Sequence, residues 1–306
     1  MEKVYDMMII GGGPGGYSAA LYAARAGLEV AVLERLAAGG QMAQTHQVDN
    51  YPGFEDGVDG IDLADKMQAQ AHRFGAETVY AQAERLDLEA SPKAVYTDQG
   101  VFYARTVAIA TGANPRKLGL SLEQELTGKG VHYCAACDGM FYRGKTVVIV
   151  GGGNTAAADA LALSRIAKKV YLVHRRDSLR ATKLYHKPLL EAENVEFLWN
   201  SQVERLEAQG KLSGVWVEQL HSGEKRYLEA DGLFVSIGRV PATALVQDQL
   251  ALDEAGYILA GEDTVSSVPG VYAVGDVRSK AVRQIVTAVA DGAVAAHAAE
   301  SYLAEN

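Results

Sequence analysis

Two cysteines, Cys134 and Cys137, are the only thiols in a chain of 306 residues, and they stand three positions apart in HYCAACDGMF, residues 132–141. That spacing suits a disulfide that opens and closes, half of a metal site, or two inert buried thiols. Structural zinc takes about four Cys, His or acidic ligands. Only His132 lies nearby and no second C-x-x-C exists, which argues against zinc. Inert thiols leave the spacing unexplained. A redox-active dithiol accounts for it, because C-x-x-C commonly lowers one thiol pKa and the thiolate is the reactive form. Asp138 follows directly and offers a carboxylate for handling protons.

A second chemistry lies in two glycine loops. MMIIGGGPGG (7–16) places Gly11, Gly13 and Gly16 in G-x-G-x-x-G, with an apolar run before it and an alanine-rich run after it. Between a strand and a helix this pattern gives a tight turn, a close backbone approach to a pyrophosphate and close helix packing. The helix start adds free N–H groups and a partial positive charge. Glu34 ends the next apolar run, 21 residues after Gly13, where an acid accepts hydrogen bonds from a ribose 2′-hydroxyl. VVIVGGGNTA (147–156) gives the related Gly151, Gly153, Ala156. Its next run ends in His174, Arg175 and Arg176, with Arg180 four residues on. Guanidinium groups bind a 2′-phosphate that an acid would repel, so this loop is expected to take NADP(H) rather than NAD(H). Near the C-terminus, GVYAVGDV (270–277) reads as a strand ending in Gly275-Asp276, followed by a long helical pattern. An Asp at a strand end before a helix start matches the flavin-binding arrangement, in which the helix faces the negative charge of a reduced flavin.

The elements that must position these residues repeat. The glycine loops lie 140 residues apart, as do the apolar runs VAVLER (30–35) and VYLVHRR (170–176). VAIATGANP (107–115) resembles LFVSIGRVP (233–241) at an offset of 126. Each copy reads strand, glycine turn, helix, strand, a variable middle and a final strand ending in Gly-x-x-Pro, one α/β nucleotide-binding unit used twice. YSAALYAARAG and TAAADALALSRIA are built from strong helix formers, and Gly27 can close the first. The totals agree with a soluble globular protein of about two domains, with 48% hydrophobic and 22% charged residues. A net charge of −9 argues against nucleic acid. No run approaches the roughly 18 apolar residues of a spanning helix, and MEKVYDMMII lacks a basic leader, so no membrane role and a cytoplasmic location are expected.

GVHYCAACDGMFYRGKTVVIVGGGNTA resembles the core of the low-molecular-weight, bacterial-type thioredoxin reductases, whose pattern runs C-A-x-C-D-G, then a strand, then G-G-G-N-S/T-A. HRRDSLRA is similar to their NADPH 2′-phosphate motif. GGGPGGYSAALYAARAG, GGQM (39–42), VDNYPGF (48–54), ATG (110–112) and GVYAVGDV with the following RQ resemble their FAD-binding elements. The resemblance covers nearly the whole chain. Ala158 is a departure, since many relatives carry Glu there.

The resemblance implies an α/β fold of two Rossmann-like domains of the three-layer ββα type, the second inserted in the first. An FAD domain would comprise 1–113 and 242–306, and an NADPH domain carrying the dithiol would comprise 114–241. FAD would be held by Gly11, Gly13, Pro14, Gly16, Glu34, Gly40, Gln41, Asn50, Ala110, Thr111, Gly112, Gly275, Asp276, Arg283 and Gln284. NADPH would be held by Gly151, Gly153, Asn154, Thr155, Ala156, His174, Arg175, Arg176 and Arg180. The implied activity is that of an NADPH-dependent thioredoxin-disulfide reductase. Hydride passes from NADPH to FAD and electrons then reach the disulfide, with Cys137 nearest the ring and Asp138 as acid/base. Cys134 then attacks thioredoxin's disulfide. His132 and Tyr133 are read as framing residues. The dithiol must meet both flavin and thioredoxin, so a rotation about the two crossings, at Gly112 and Pro115 and at Gly238 and Pro241, is expected. The family implies a homodimer. The rivals are a related flavoprotein reductase or oxidase with another dithiol acceptor, and a nucleotide sensor, which would need no dithiol.

Overall fold

The computed structural model describes residues 3–45 and 47–306. Two compact units emerge, Met1–Asn114 with Val240–Asn306, and Pro115–Arg239. The divisions lie one and two residues from those read in the sequence.

The first unit begins with β1 (Val4–Ile10), α1 (Pro14–Arg25), β2 (Val30–Glu34), α2 (Gly60–Arg73) and β3 (Glu77–Tyr80). A meander follows, β4 (Ala83–Asp87), β5 (Lys93–Thr97) and β6 (Gly100–Ile109). Strand order is β3-β2-β1-β6-β5-β4. The long β6 has two partners, with residues 100–104 pairing antiparallel with β5 and residues 103–109 pairing parallel with β1. Strand alternation divides the core. Met7 and Ile9 of β1 face the helices, whereas Met8 and Ile10 face the meander side with Leu86, Val95 and Ile258.

The chain crosses to the second unit through β7 (Ala113–Pro115). There follow β8 (Val131–His132), α3 (Ala135–Asp138), β9 (Thr146–Val150), α4 (Asn154–Ser164), β10 (Lys169–His174), α5 (Lys183–Leu190) and β11 (Val195–Trp199). A second meander, β12 (Ser201–Ala208), β13 (Leu212–Gln219) and β14 (Lys225–Glu229), precedes β15 (Gly232–Val235). The parallel sheet runs β11-β10-β9-β15-β8, and β12-β13-β14 form a separate sheet. The offset of 140 preserves burial as well as sequence. Val147 and Ile149 face the helices as Met7 and Ile9 do, and Val148 and Val150 face the meander as Met8 and Ile10 do.

The return crossing, β16 (Arg239–Pro241), pairs with β7. The first unit is then completed by β17 (Val271–Ala273), parallel to β6, and α6 (Ile285–Glu305). α6 packs on α1 at close range. A Cβ on Gly292 would fall 2.3 Å from the Gly15 carbonyl oxygen, and the Ser18 hydroxyl donates to the Val289 carbonyl at 2.7 Å. α4 ends at Ser164, short of the run read to Ala167, because the Ile166 and Ala167 N–H groups turn back onto the Leu163 carbonyl. Among the described residues no helix is long and apolar enough to cross a membrane.

Candidate nucleotide sites and the dithiol

In the first unit the glycine loop joins β1 to α1, and the close approaches explain its composition. A Cβ on Gly16 would lie 2.0 Å from the Gly11 carbonyl oxygen, so no side chain fits there. Gly11, at φ +110°, presses against the Ala110 carbonyl. Gly13 precedes α1 and differs, since a Cβ there would meet nothing within 4 Å. Pro14 fills the first helical position, where no N–H is lost. Glu34 accepts the Gly12 N–H at 2.9 Å through Oε2 and the Arg35 and Leu36 N–H groups through Oε1.

The remaining residues assigned to FAD lie in the same unit. A Cβ on Gly40 would approach the Gly13 Cα at 3.6 Å. Gln41 donates to the Ala113 carbonyl. The Asn50 amide donates to Gln284 at 3.1 Å, and Gln284 caps α6 in a reciprocal pair with Thr287. The Ala110 N–H reaches the Ile10 carbonyl at 2.9 Å, the Thr111 hydroxyl donates to the Ala242 carbonyl at 2.7 Å, and the Gly112 carbonyl accepts the Ala242 N–H at 2.9 Å. Gly275 and Asp276 form a 3₁₀ turn after β17. Arg283 lies 4.0 Å over the Tyr257 ring.

Sequence reading missed what anchors that turn. Asp291 on α6 accepts from the Gly275 N–H at 2.9 Å and is buried between Arg278 at 2.8 Å and Lys280 at 2.7 Å. Burial alone would raise this carboxyl, but hydrogen bonds from the two cations hold it below its ordinary value. The available signal was an acid inside the otherwise apolar helix TAVADGAVAA.

In the second unit, the loop between β9 and α4 repeats the pattern. A Cβ on Gly151 would meet the Ser236 carbonyl oxygen at 2.4 Å and the Ala156 Cβ at 2.7 Å, whereas at Gly153 it would meet nothing within 4 Å. Asn154 accepts the Thr182 N–H at 2.8 Å, and Thr155 is exposed on the first turn of α4. His174, at the end of β10 and 4% exposed, packs on Gly152. Its Nε2 is the one buried side-chain polar atom without a hydrogen-bond partner among the described residues. Burial first, then the charges of Arg180, Arg176 and Arg175, lower its pKa and keep the ring neutral. The Arg180 N–H bonds the Gly152 carbonyl at 2.7 Å, which ties the exposed arginine loop to the glycine loop. Among the described residues no acid pairs with these three arginines.

The cofactor fit rests on these features. Both helix starts offer free N–H groups beside open space and carry no acid in the first turn. Glu34 suits a diol and rejects a phosphate. The arginine loop favours a phosphate, and the unpartnered His174 nitrogen is a polar atom that a bound nucleotide can satisfy. The residues present fit FAD in the first unit and NADPH in the second.

Cys134 and Cys137 form a disulfide with Cα atoms 5.3 Å apart, and Cys134 opens α3. The Cys134 carbonyl accepts the Cys137 and Asp138 N–H groups. Both sulfur-bearing residues are half-buried, while Met140 and Phe141 beside them are 54% and 43% exposed. His132 bonds both Asp138 and Tyr142. Tyr133 donates to Glu123, a buried carboxylate that also accepts three backbone N–H groups from Leu118 to Leu120. Among the described residues there is no group of three or more His, Cys, Asp or Glu arranged to hold a metal.

Comparison with known proteins matches residues 5–292 to the family described as pyridine nucleotide-disulphide oxidoreductase. Curated relatives include a thioredoxin reductase of Listeria monocytogenes, 43% identical over 305 residues, spanning 99% of this chain and 95% of that one. One of Streptomyces clavuligerus is 45% identical over 307 residues, with the same coverage. The crystal structure of thioredoxin reductase from Streptococcus pyogenes superposes with a TM-score of 0.93 at 41% identity, covering 100% of both chains.

Proposed function

The chain belongs to the pyridine nucleotide-disulphide oxidoreductase family, and on that footing we propose how its residues divide the work of a thioredoxin-disulfide reductase. The enzyme draws on FAD and NADPH, and thioredoxin is its substrate partner. When bound, the two cofactors supply the electron pair that opens the disulfide.

The Met1–Asn114 and Val240–Asn306 unit holds FAD, and the Pro115–Arg239 unit holds NADPH and the dithiol. Gly13 and the start of α1 receive the FAD pyrophosphate, and Glu34 receives its adenosine ribose. The Gly275-Asp276 turn and the start of α6 receive the flavin end, with Asp291 fixing the turn. Gly153 and α4 receive the NADPH pyrophosphate, and Arg175, Arg176 and Arg180 receive its 2′-phosphate. With FAD bound, Cys137 would be the sulfur that takes up electrons and Asp138 would hold and move the proton. Cys134, as thiolate, attacks thioredoxin's disulfide to give a mixed disulfide that Cys137 resolves. Met140 and Phe141 give thioredoxin an apolar surface beside the sulfurs. The enzyme works as a cytoplasmic homodimer and binds neither membrane nor nucleic acid.

The observation that carries this reading is the Cys134–Cys137 disulfide at the start of α3, in the unit whose glycine loop bears the arginines. A coupled assay tests it, with NADPH against NADH as donor and thioredoxin against a small disulfide as acceptor. NADPH with thioredoxin should be the preferred pair. Preference for another acceptor would move the chain to a related disulfide reductase.

A further inference from the structure

In the second unit one imidazole links the carboxylate of Asp138 to a buried phenol. His132 ends β8 and is 8% exposed. Its Nδ1 stands 3.0 Å from Asp138 Oδ2, and its Nε2 stands 2.6 Å from the Tyr142 hydroxyl. Phe234 of β15 stacks on the ring at 5.3 Å between centroids, and Tyr142 meets it edge-on at 5.2 Å. With both nitrogens bonded and one face covered, the ring has a single orientation. The titratable groups bonded to it are Asp138 on α3 and Tyr142 on the turn that follows. Asp231 before β15 and Lys145 before β9 flank Tyr142, the latter 5.4 Å from its ring centroid.

The pattern of hydrogen bonds admits an extra proton without breaking. Burial first, then the charges of Asp138 and Asp231, push the Tyr142 phenol up to about 12, so it stays protonated. Beside an ionised Asp138, the phenol donates to Nε2 and the imidazole donates from Nδ1 to Oδ2. A proton added to this pair has two homes. It can sit on the ring as imidazolium against carboxylate, or on Asp138 with the imidazole neutral and protonated at Nε2. In both states every bond survives, with the phenol oxygen turning from donor to acceptor.

We propose that His132 is a positioning residue that shares the proton of Asp138, so that the acid serving the dithiol is the His132–Asp138 pair. The proposal rests on the reading of Asp138 as acid/base given above. In the transfer to thioredoxin, the pair and the Cys137 thiol each begin with one proton, and Cys134 is a thiolate. Cys134 attacks one sulfur of thioredoxin's disulfide. That S–S bond breaks, a mixed disulfide forms, and the leaving sulfur takes the proton of the pair. The pair then takes the proton of Cys137, whose thiolate attacks the Cys134 sulfur and re-forms the Cys134–Cys137 bond. The second thioredoxin sulfur leaves and takes that proton. Two electrons have passed from the enzyme dithiol to thioredoxin, with one proton from the pair and one from Cys137.

The test uses the holoenzyme and three variants. His132→Asn keeps an amide N–H near the position of Nδ1 but cannot take up a proton. Tyr142→Phe removes the donor to Nε2 and keeps a ring in place. Asp138→Asn removes the carboxylate. One readout is thioredoxin reduction across about pH 5.5 to 9, the range in which histidine titrates. The other, independent of turnover, is the pH dependence of iodoacetamide alkylation of the dithiothreitol-reduced holoenzyme. The native profile should carry an inflection that depends on the pair as well as on the thiols. His132→Asn should lose that inflection and slow thioredoxin reduction about 10-fold. Asp138→Asn should slow it by roughly 100-fold or more, as general acid–base catalysis contributes. Tyr142→Phe should displace that inflection. If Asp138→Asn is impaired while His132→Asn and Tyr142→Phe keep the native profile, His132 is only a structural bond and the proposal fails alone. If Asp138→Asn is unimpaired, the underlying assignment fails with it.

Discussion

The arginine loop gives the sharpest quantitative prediction. β10 ends at His174, which packs on Gly152, and the Arg180 N–H bonds the Gly152 carbonyl. The loop from 175 to 180 is therefore held at the mouth of the second glycine turn, and its cations are exposed and free of acidic partners among the described residues. On the proposed assignment, replacing Arg176 by Gln should remove one charge-assisted hydrogen bond to the 2′-phosphate, about 1.5–3 kcal/mol. That converts to roughly 10- to 100-fold in affinity, with the lower end expected for a screened, exposed contact. NADH, which lacks the phosphate, should change by less than about twofold, since it never used that contact. The assay is steady-state kinetics with each nucleotide at fixed thioredoxin, read as kcat/KM. A double variant, Arg175→Gln with Arg176→Gln, should bring the two nucleotides close to parity. Equal weakening of both nucleotides would refute the reasoning, because the loop would then support the fold or the pyrophosphate rather than read the phosphate.

The Cys134→Ser enzyme should still be bleached by NADPH, but thioredoxin turnover should vanish. Persistent turnover would place the exchange elsewhere. Gly16→Ala drives a Cβ against the Gly11 carbonyl and should lower thermal stability by roughly 1–3 kcal/mol with loss of flavin. Gly13→Ala meets no protein atom, so its melting should be unchanged while nucleotide affinity drops. Asp291→Asn leaves Arg278 and Lys280 buried without their anion and should cost about 3–5 kcal/mol. The depressed pKa of Asp291 implies stability that is present above the unfolded carboxylate value of about 4 and lost as pH falls through the folded value. Acid melting of native enzyme and variant should therefore converge at low pH.

Periodic and local features were the legible ones. The glycine loops announce themselves because turn, pyrophosphate approach and helix packing each forbid side chains at fixed spacing, as Gly16 against Gly11 illustrates. The 140-residue repeat survives because both copies solve one burial problem, with Met7 and Val147 facing helices and Met8 and Val148 facing a meander. The meanders themselves escaped notice, since β12 to β14 are partly exposed and their burial alternates irregularly. Polar networks were also hidden. His132 meets Tyr142 ten residues on, across the short α3 and the turn after it, and Glu123 gathers its N–H groups from a loop. Such contacts depend on how the chain turns, which no fixed spacing encodes. Asp291 lies between these cases, visible as an acid in an apolar helix but silent about its partners.

The central claim is that electrons from NADPH reach thioredoxin through a flavin and the Cys134–Cys137 pair. An anaerobic absorbance experiment on the purified holoenzyme tests it most directly. NADPH should bleach the flavin band, and oxidised thioredoxin should then restore it in the native enzyme but not in Cys134→Ser. A flavin that NADPH cannot bleach, or one that thioredoxin reoxidises equally well without Cys134, would contradict the account.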